Sequence, residues 1–368
     1  MRLDNNQQAF FALVKAGLWE QDVRLSPFEI IDFKEVYRLA EEQSMIGIVA
    51  AGLEHVKDVK VQKEIVLQYV GQTLQLEQQN TAMNSFIEDL VGKLREANIY
   101  TLLLKGQGIG QCYERPLWRA CGDVDLFLND DTFDRAKAVL SPLAKSVEKE
   151  NHYTKHLGMF IAPFEVELHG SLRSNLTAKI DRELDSIKRD VFYGGNVRSW
   201  MNGKTKVFLL SKENDIVYVF SHILQHYFKG GVGLRQLCDW CRLLWTYKDA
   251  INPDLIDNRL RAMGVMSEWR AFAALAVNTL GMPVEAMPLY SDSPIWKKKS
   301  DRILSIILET GNFGHNRDLS YQHNCSMLKR KMITFRWVSK DAFRQLSIFP
   351  LDSIKIWCGM LRKGLINK

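Results

Sequence analysis

The strand-like patterns of this chain fall in one window of about 75 residues, and helical periodicity runs on both sides of it. Residues 99–104 (Ile-Tyr-Thr-Leu-Leu-Leu) form a short apolar run bounded by Asn98 and Gly106, as a buried strand does. Residues 123–128 alternate and run into Asn129-Asp130-Asp131, which predicts a second strand and then a capped helix over 132–143. Residues 164–169 alternate strictly between apolar and polar, so they read as a third strand, stopped by Gly170 and Ser171. The weaker pattern over 145–162 leaves room for one or two more.

Helices are expected elsewhere. Phe10, Phe11, Val14 and Leu18 have helical spacing over 8–19, and Pro27 suits the first turn of a second helix. The pattern continues over 33–40 and 46–56. Residues 61–97 read as one long helix, or two with a break near Asn80. After about Lys204 the candidates are 214–228, 234–247, 254–263, 267–280 and 295–308. A linker follows at 311–316, then helices at 327–346 and 351–365, the last with Ile354, Trp357, Leu361 and Leu365 on one stripe. The fold class is α+β: a small mixed sheet flanked by helical regions at both ends. The expected divisions are 1–97, 98–210, 211–310 and 311–368.

Composition narrows the function classes. With 46% hydrophobic and 25% charged residues the chain is not of the disordered type. No stretch approaches the roughly 18 apolar residues of a spanning helix. The first residues, MRLDNNQQAF, lack the apolar centre of a secretory signal. Six cysteines are too few for a disulfide scaffold, so the cytoplasm is the expected compartment. The net charge of +6 is unevenly spread: residues 317–368 carry 11 Lys or Arg against 3 Asp or Glu. That excess reads first as the solvated face of helices. Nucleic acid, anionic lipid or an acidic partner are the other readings.

The chemistry-bearing residues sit in the strand window. Asp123 and Asp125 are two apart on a strand, so both carboxylates share a face while Val124 and Leu126 point into a core. Two such charges repel unless a cation lies between them, and Mg²⁺ suits one or two carboxylates plus phosphate oxygens. Glu167 repeats the apolar–acid–apolar pattern on the third strand. If the two acidic strands are neighbours, three carboxylates converge, and two metals so held can clamp an in-line phosphoryl displacement. Lys105-Gly106-Gln107-Gly108 follows the first strand and precedes a helix, where backbone N–H groups and a helix terminus favour phosphate. Arg115 and Arg119 lie shortly before the acidic pair and would suit phosphate oxygens.

Leu104-Lys105-Gly106, then Tyr113, Arg119 and Gly122-Asp123-Val124-Asp125-Leu126, resemble the polymerase-beta-like nucleotidyltransferase superfamily, specifically its bacterial "uncharacterised nucleotidyltransferase" branch. Glu167-Leu168-His169, the helical pair His222 and His226, and Leu234-Arg235 with Asp239 extend the likeness over roughly residues 30–250. The resemblance implies Mg²⁺-dependent transfer of a nucleotide from an NTP donor such as ATP to a hydroxyl, with two ions. Asp123, Asp125 and Glu167 would be the catalytic and metal-binding residues, and Glu167 would also help take the acceptor's proton. Lys105, Gly106, Gln107, Arg119 and His169 would bind the nucleotide. Many members have Gly-Ser or Gly-Gly where this chain has Gly106-Gln107. The acceptor stays open among a small molecule, a glycan, a protein and a nucleic acid.

Other readings stand beside this one. His222, His226, Cys238 and Cys241 have spacings that a zinc site would use, but both cysteines also fall on the apolar stripe of a helix and read first as core. His152 and His156 lie in the ambiguous stretch and receive no role. A catalytically silent protein of this fold would bind nucleic acid or an acidic partner through its basic C-terminus. A macromolecular modifier would dock its substrate there, and a membrane-surface enzyme would use the stripe over 351–365.

Overall fold

Strand β1 (Leu102–Leu104), β2 (Asp123–Phe127), β3 (Ser146–Val147), β4 (His156–Ile161), β5 (Phe164–His169), β6 (Val197–Asn202) and β7 (Thr205–Leu210) form one mixed sheet in the order β3-β4-β5-β2-β1-β7-β6. The computed structural model describes residues 3–312 and 326–366. Four helices precede the sheet: α1 (Asn5–Trp19), α2 (Phe33–Glu42), α3 (Ile46–Glu54) and α4 (Lys63–Glu96). Three lie among the strands: α5 (Gly106–Gly110), α6 (Asp130–Leu140) and α7 (Ala178–Phe192). After the last strand come α8 (Lys212–Lys229), α9 (Leu234–Tyr247), α10 (Pro253–Met263), α11 (Met266–Leu280), α12 (Pro294–Thr310), α13 (Met327–Leu346) and α14 (Pro350–Ile366). The architecture is the expected α+β, with helices at both ends.

Period-two alternation sorts the strand residues between two cores. Leu103, Val124, Leu126, Val166 and Leu168 face α4 and α6, where they pack with Ile87, Leu90, Val91, Phe133 and Leu140. Leu102, Leu104, Phe127 and Leu210 face the other way, into a larger core with α7 and α8. That core continues through Phe10 of α1, Trp240 of α9, Trp269 of α11 and Ile356 of α14. The face carrying Asp123 and Asp125 is the one that looks toward α8 and α9.

Of the two readings of residues 61–97, the single long helix is the one observed: α4 runs unbroken through Asn80, which is fully buried. Several other elements differ from the sequence reading. Pro27 opens a single 3-10 turn, Ser26–Phe28, ended by Glu29 at φ +54°, and α2 begins later at Phe33. α6 starts at Asp130 because the Asn129 side chain accepts from the Asp130 N–H at 2.7 Å. α7 and the β6–β7 hairpin have no counterpart in the reading. β6 is an edge strand with Val197, Ser199 and Met201 exposed, so its apolar residues do not mark a buried face. The expected linker over 311–316 lies outside the described residues beyond Asn312. Among the described residues no helix is long and apolar enough to cross a membrane.

Candidate active site

Strand register builds the site. β2 pairs with β5 in parallel, which sets Asp123 beside Glu165 and Asp125 beside Glu167. β1 pairs with β2 antiparallel, with Leu104 opposite Asp125, so the residue after β1 is delivered to the acids. Carboxylate oxygens of Asp123, Asp125 and Glu167 come within 4.8 Å of one another. Lys105 reaches in from the end of β1, its Nζ 3.1 Å from Asp125 Oδ1. Its backbone sits at φ +49°, and Gly106 follows at φ +46°. Two successive left-handed residues turn the chain sharply between β1 and α5; the second is glycine, and a Cβ there would crowd Cys121 Sγ at 3.3 Å.

Two histidines complete the acidic face. His169 Nε2 lies 2.7 Å from Asp125 Oδ1 and 3.3 Å from Glu167 Oε2. His156 Nε2 lies 3.1 Å from that same Glu167 oxygen. The electrostatics follow from these contacts. Burial first, and then the Asp125 carboxylate, push the Asp123 carboxyl above its ordinary value. Burial also works to raise Glu167, but hydrogen bonds from His156 and His169 outweigh it and hold that carboxylate far below the usual range. Burial lowers Lys105, and Asp125 more than reverses this, so the ammonium stays charged. His169 is opposed by burial and raised by Asp125 and Glu167.

Behind this face lies a second buried ion pair. Arg119 donates to both oxygens of Asp239 at 2.7 Å each, and the Tyr113 hydroxyl donates to Asp239 Oδ1 at 2.8 Å. The Arg235 guanidinium stands 3.6 Å from Asp239 Oδ2, and its Nε has no hydrogen-bond partner. The loop between α5 and β2 is fixed from α4. Asn80 donates to the carbonyls of Leu117 and Arg119 at 2.7 and 2.9 Å, and accepts from Gln107 Nε2 at 2.7 Å.

The result is a pocket of about 330 Å³ with the three acids on its floor. Lys105, Gly106, Arg119, Arg235 and His222 are in its wall. Of the expected residues, Asp123, Asp125, Glu167, Lys105, Gly106 and Arg119 line it, and His169 supports it through Asp125. Gln107 does not: its side chain is buried against Asn80 and Met83 of α4. α5 spans five residues, too few to sum into a strong helix dipole. Glu165 and His156 join the site without having been expected there: β2–β5 pairing sets Glu165 beside Asp123, and β4–β5 pairing sets His156 opposite His169. Arg235 was noted only as part of a likeness; its separation of four from Asp239 on one helix face was the signal for its place here.

His222 and His226 touch through their Nε2 atoms at 3.0 Å, and burial lowers both, His226 to about 4. Cys238 and Cys241 are fully buried in the large core. No three of these four residues bring ligand atoms within 4.8 Å of one another, so a zinc site is not formed there.

The three-carboxylate floor fits a hard divalent cation. Its donors are all oxygen, and Asp123 carries the unfavourable repulsion that such an ion would relieve. The chain matches the model of the family described as uncharacterised nucleotidyltransferase over residues 29–281. It belongs to that family. No curated protein and no solved structure matches it.

Proposed function

We propose that this member of the uncharacterised nucleotidyltransferase family moves a nucleoside monophosphate from a nucleoside triphosphate to a hydroxyl acceptor, releasing pyrophosphate. The observation that carries this is the convergence of Asp123, Asp125 and Glu167 at the floor of a pocket with Lys105 and Arg235 in its wall. Those three carboxylates would hold two Mg²⁺ ions, which neutralise phosphate charge and make the acceptor hydroxyl more acidic.

The chain's own residues divide the rest of the work. Gly106 leaves the turn open to a phosphate, and the Lys105 ammonium beside it adds charge. Arg235, in the pocket wall and 3.6 Å from Asp239, takes triphosphate oxygens. Arg119 has both arms on Asp239 and so fixes the wall rather than gripping phosphate. Glu167 is held ionised by two imidazoles, which makes it a poor proton acceptor, so it serves as a ligand and not as the base. His169 orients Asp125.

Calorimetric titration with ATP, GTP, CTP and UTP, with and without Mg²⁺, tests this reading. Binding of at least one nucleotide should require Mg²⁺ and weaken by roughly tenfold or more in Asp125→Asn, as loss of a metal ligand or its partner does. If the folded wild type binds no NTP, or binds equally without Mg²⁺ and in the variant, the reading fails. A binding protein that acts through its basic C-terminal helices then takes its place.

A further inference from the structure

We propose a second metal site beside the three carboxylates, formed by His156, His169 and Glu167 and suited to a first-row transition-metal dication such as Zn²⁺, Co²⁺ or Mn²⁺. Nucleotidyl transfer is not assumed: the inference stands on the β4–β5 hairpin alone.

The hairpin register creates the site. His156 and His169 are direct cross-strand partners in the antiparallel β4–β5 ladder, so their side chains rise from the same face. Glu167 precedes His169 by two residues and shares that face. Ligand atoms of all three lie within 4.8 Å of one another. The Nε2 atoms of His156 and His169 lie 3.1 and 3.3 Å from one oxygen, Glu167 Oε2, and His169 Nε2 lies closer still, at 2.7 Å, to Asp125 Oδ1. Two imidazole nitrogens and a carboxylate oxygen gathered this closely supply the donor types that such a dication takes. The side chains of His156, His169 and Glu167 are 31%, 13% and 33% exposed, so water has access to the remaining coordination positions.

The ladder also leaves room above the site. The residue opposite Glu167 is Gly158, and a Cβ there would meet the Glu148 carboxylate at 2.7 Å. Glycine thus lets a further carboxylate approach this face.

Ligand chemistry separates this set from its neighbour. Two imidazoles and one carboxylate suit zinc, cobalt or manganese, whereas Mg²⁺ keeps to oxygen donors. Asp123, Asp125 and Glu167 offer oxygen only. Glu167 belongs to both sets, so its carboxylate would be shared between this ion and the Mg²⁺ side of the site, and the metals would differ in kind.

Titration of the metal-free full-length protein with Co²⁺, followed by visible absorption, and with Mg²⁺, followed by calorimetry, tests this without any nucleotide. Co²⁺ should bind the wild type with the bands of nitrogen and oxygen ligation. His156→Ala should weaken Co²⁺ by at least about tenfold more than it weakens Mg²⁺, since it removes a ligand of one ion and only a partner of Glu167 for the other, while Asp123→Asn should weaken Mg²⁺ the more. Circular dichroism checks that each variant is folded, and His156→Asn replaces His156→Ala if the latter is not. The proposal is overturned if Co²⁺ does not bind, if a sulfur-to-cobalt band dominates, or if the folded His156 variant binds Co²⁺ as the wild type does. It is also overturned if that variant loses Co²⁺ and Mg²⁺ in equal measure, which would mean one site. Failure of the nucleotide titration with success here would leave this proposal standing alone.

Discussion

At the scale of single residues the site depends on side chains that never touch the pocket floor. Asn80 is buried in α4 and ties down two carbonyls of the loop that carries Arg119, while its own oxygen accepts from Gln107. Asn80→Ala removes three hydrogen bonds and orphans buried groups at about 1 kcal/mol or more each. The variant should lose about 2–3 kcal/mol in urea unfolding and bind nucleotide more weakly although Asn80 is remote from the acids; unchanged stability would refute the clamp. Asp239 gives a sharper case. Arg119 is 3% exposed and its charge is met by Asp239. Asp239→Asn leaves that guanidinium buried without a counter-charge, which typically costs about 3–5 kcal/mol, and the same urea experiment reads it. The floor was legible in part: strand alternation puts Asp123, Asp125 and Glu167 each on one strand face, and the β2–β5 pairing, which alternation does not decide, brings them together. Gln107 was not legible in the same way. Its position after Gly106 suggested phosphate, but the short α5 rotates its side chain toward Asn80, and only tertiary packing decides that rotation.

At the scale of elements, the docking of α14 against α11 carries a titratable contact. Glu268 on α11 is 1% exposed, and neither of its oxygens has a hydrogen-bond donor. Burial first, and then Asp352 on α14, raise its carboxyl to about 8, with Lys299 on α12 opposing. The folded value therefore lies above the unfolded one. Between about pH 5 and 8 the native state holds a proton that the unfolded chain has lost, so stability falls as pH rises, by up to about 1.4 kcal/mol per unit. Above pH 8 the effect levels off. Thermal melts should show wild type losing ground to Glu268→Gln across that window; parallel curves would sink the prediction. Most elements were legible from periodicity, α9 and α13 to the residue. α7 carries Ile180, Leu184, Ile187 and Val191 at helical spacing, a stripe available in the sequence but passed over. β6 was not available in that way, because an edge strand need not bury either face.

At the scale of the whole molecule, the basic C-terminal helices are part of the core and not an appendage to it. Ile348, Phe349 and Ile356 are all buried there, and Gln345 donates to the Tyr227 carbonyl of α8 at 2.7 Å. Phe349 stands 6.2 Å from the Tyr227 ring and 6.3 Å from Phe228. Burial of a large apolar side chain contributes about 1.5–3 kcal/mol, so these three alone rival the 5–15 kcal/mol of a typical domain. A chain ended at Gly311 should consequently lose most of its thermal stability rather than shed a dispensable tail, as a melt of the truncated protein would show. An unchanged melting temperature would mean that α13 and α14 add nothing. The charge of the region is separable from its packing, because Lys329, Arg336 and Lys340 are exposed. Replacing all three with Gln should leave the melting temperature unchanged and Mg²⁺-dependent nucleotide binding within about twofold, since solvated charges contribute little to stability. If nucleotide binding instead fell with the charge, the basic face would belong to the site, and the acids of β2 and β5 would be only half of it.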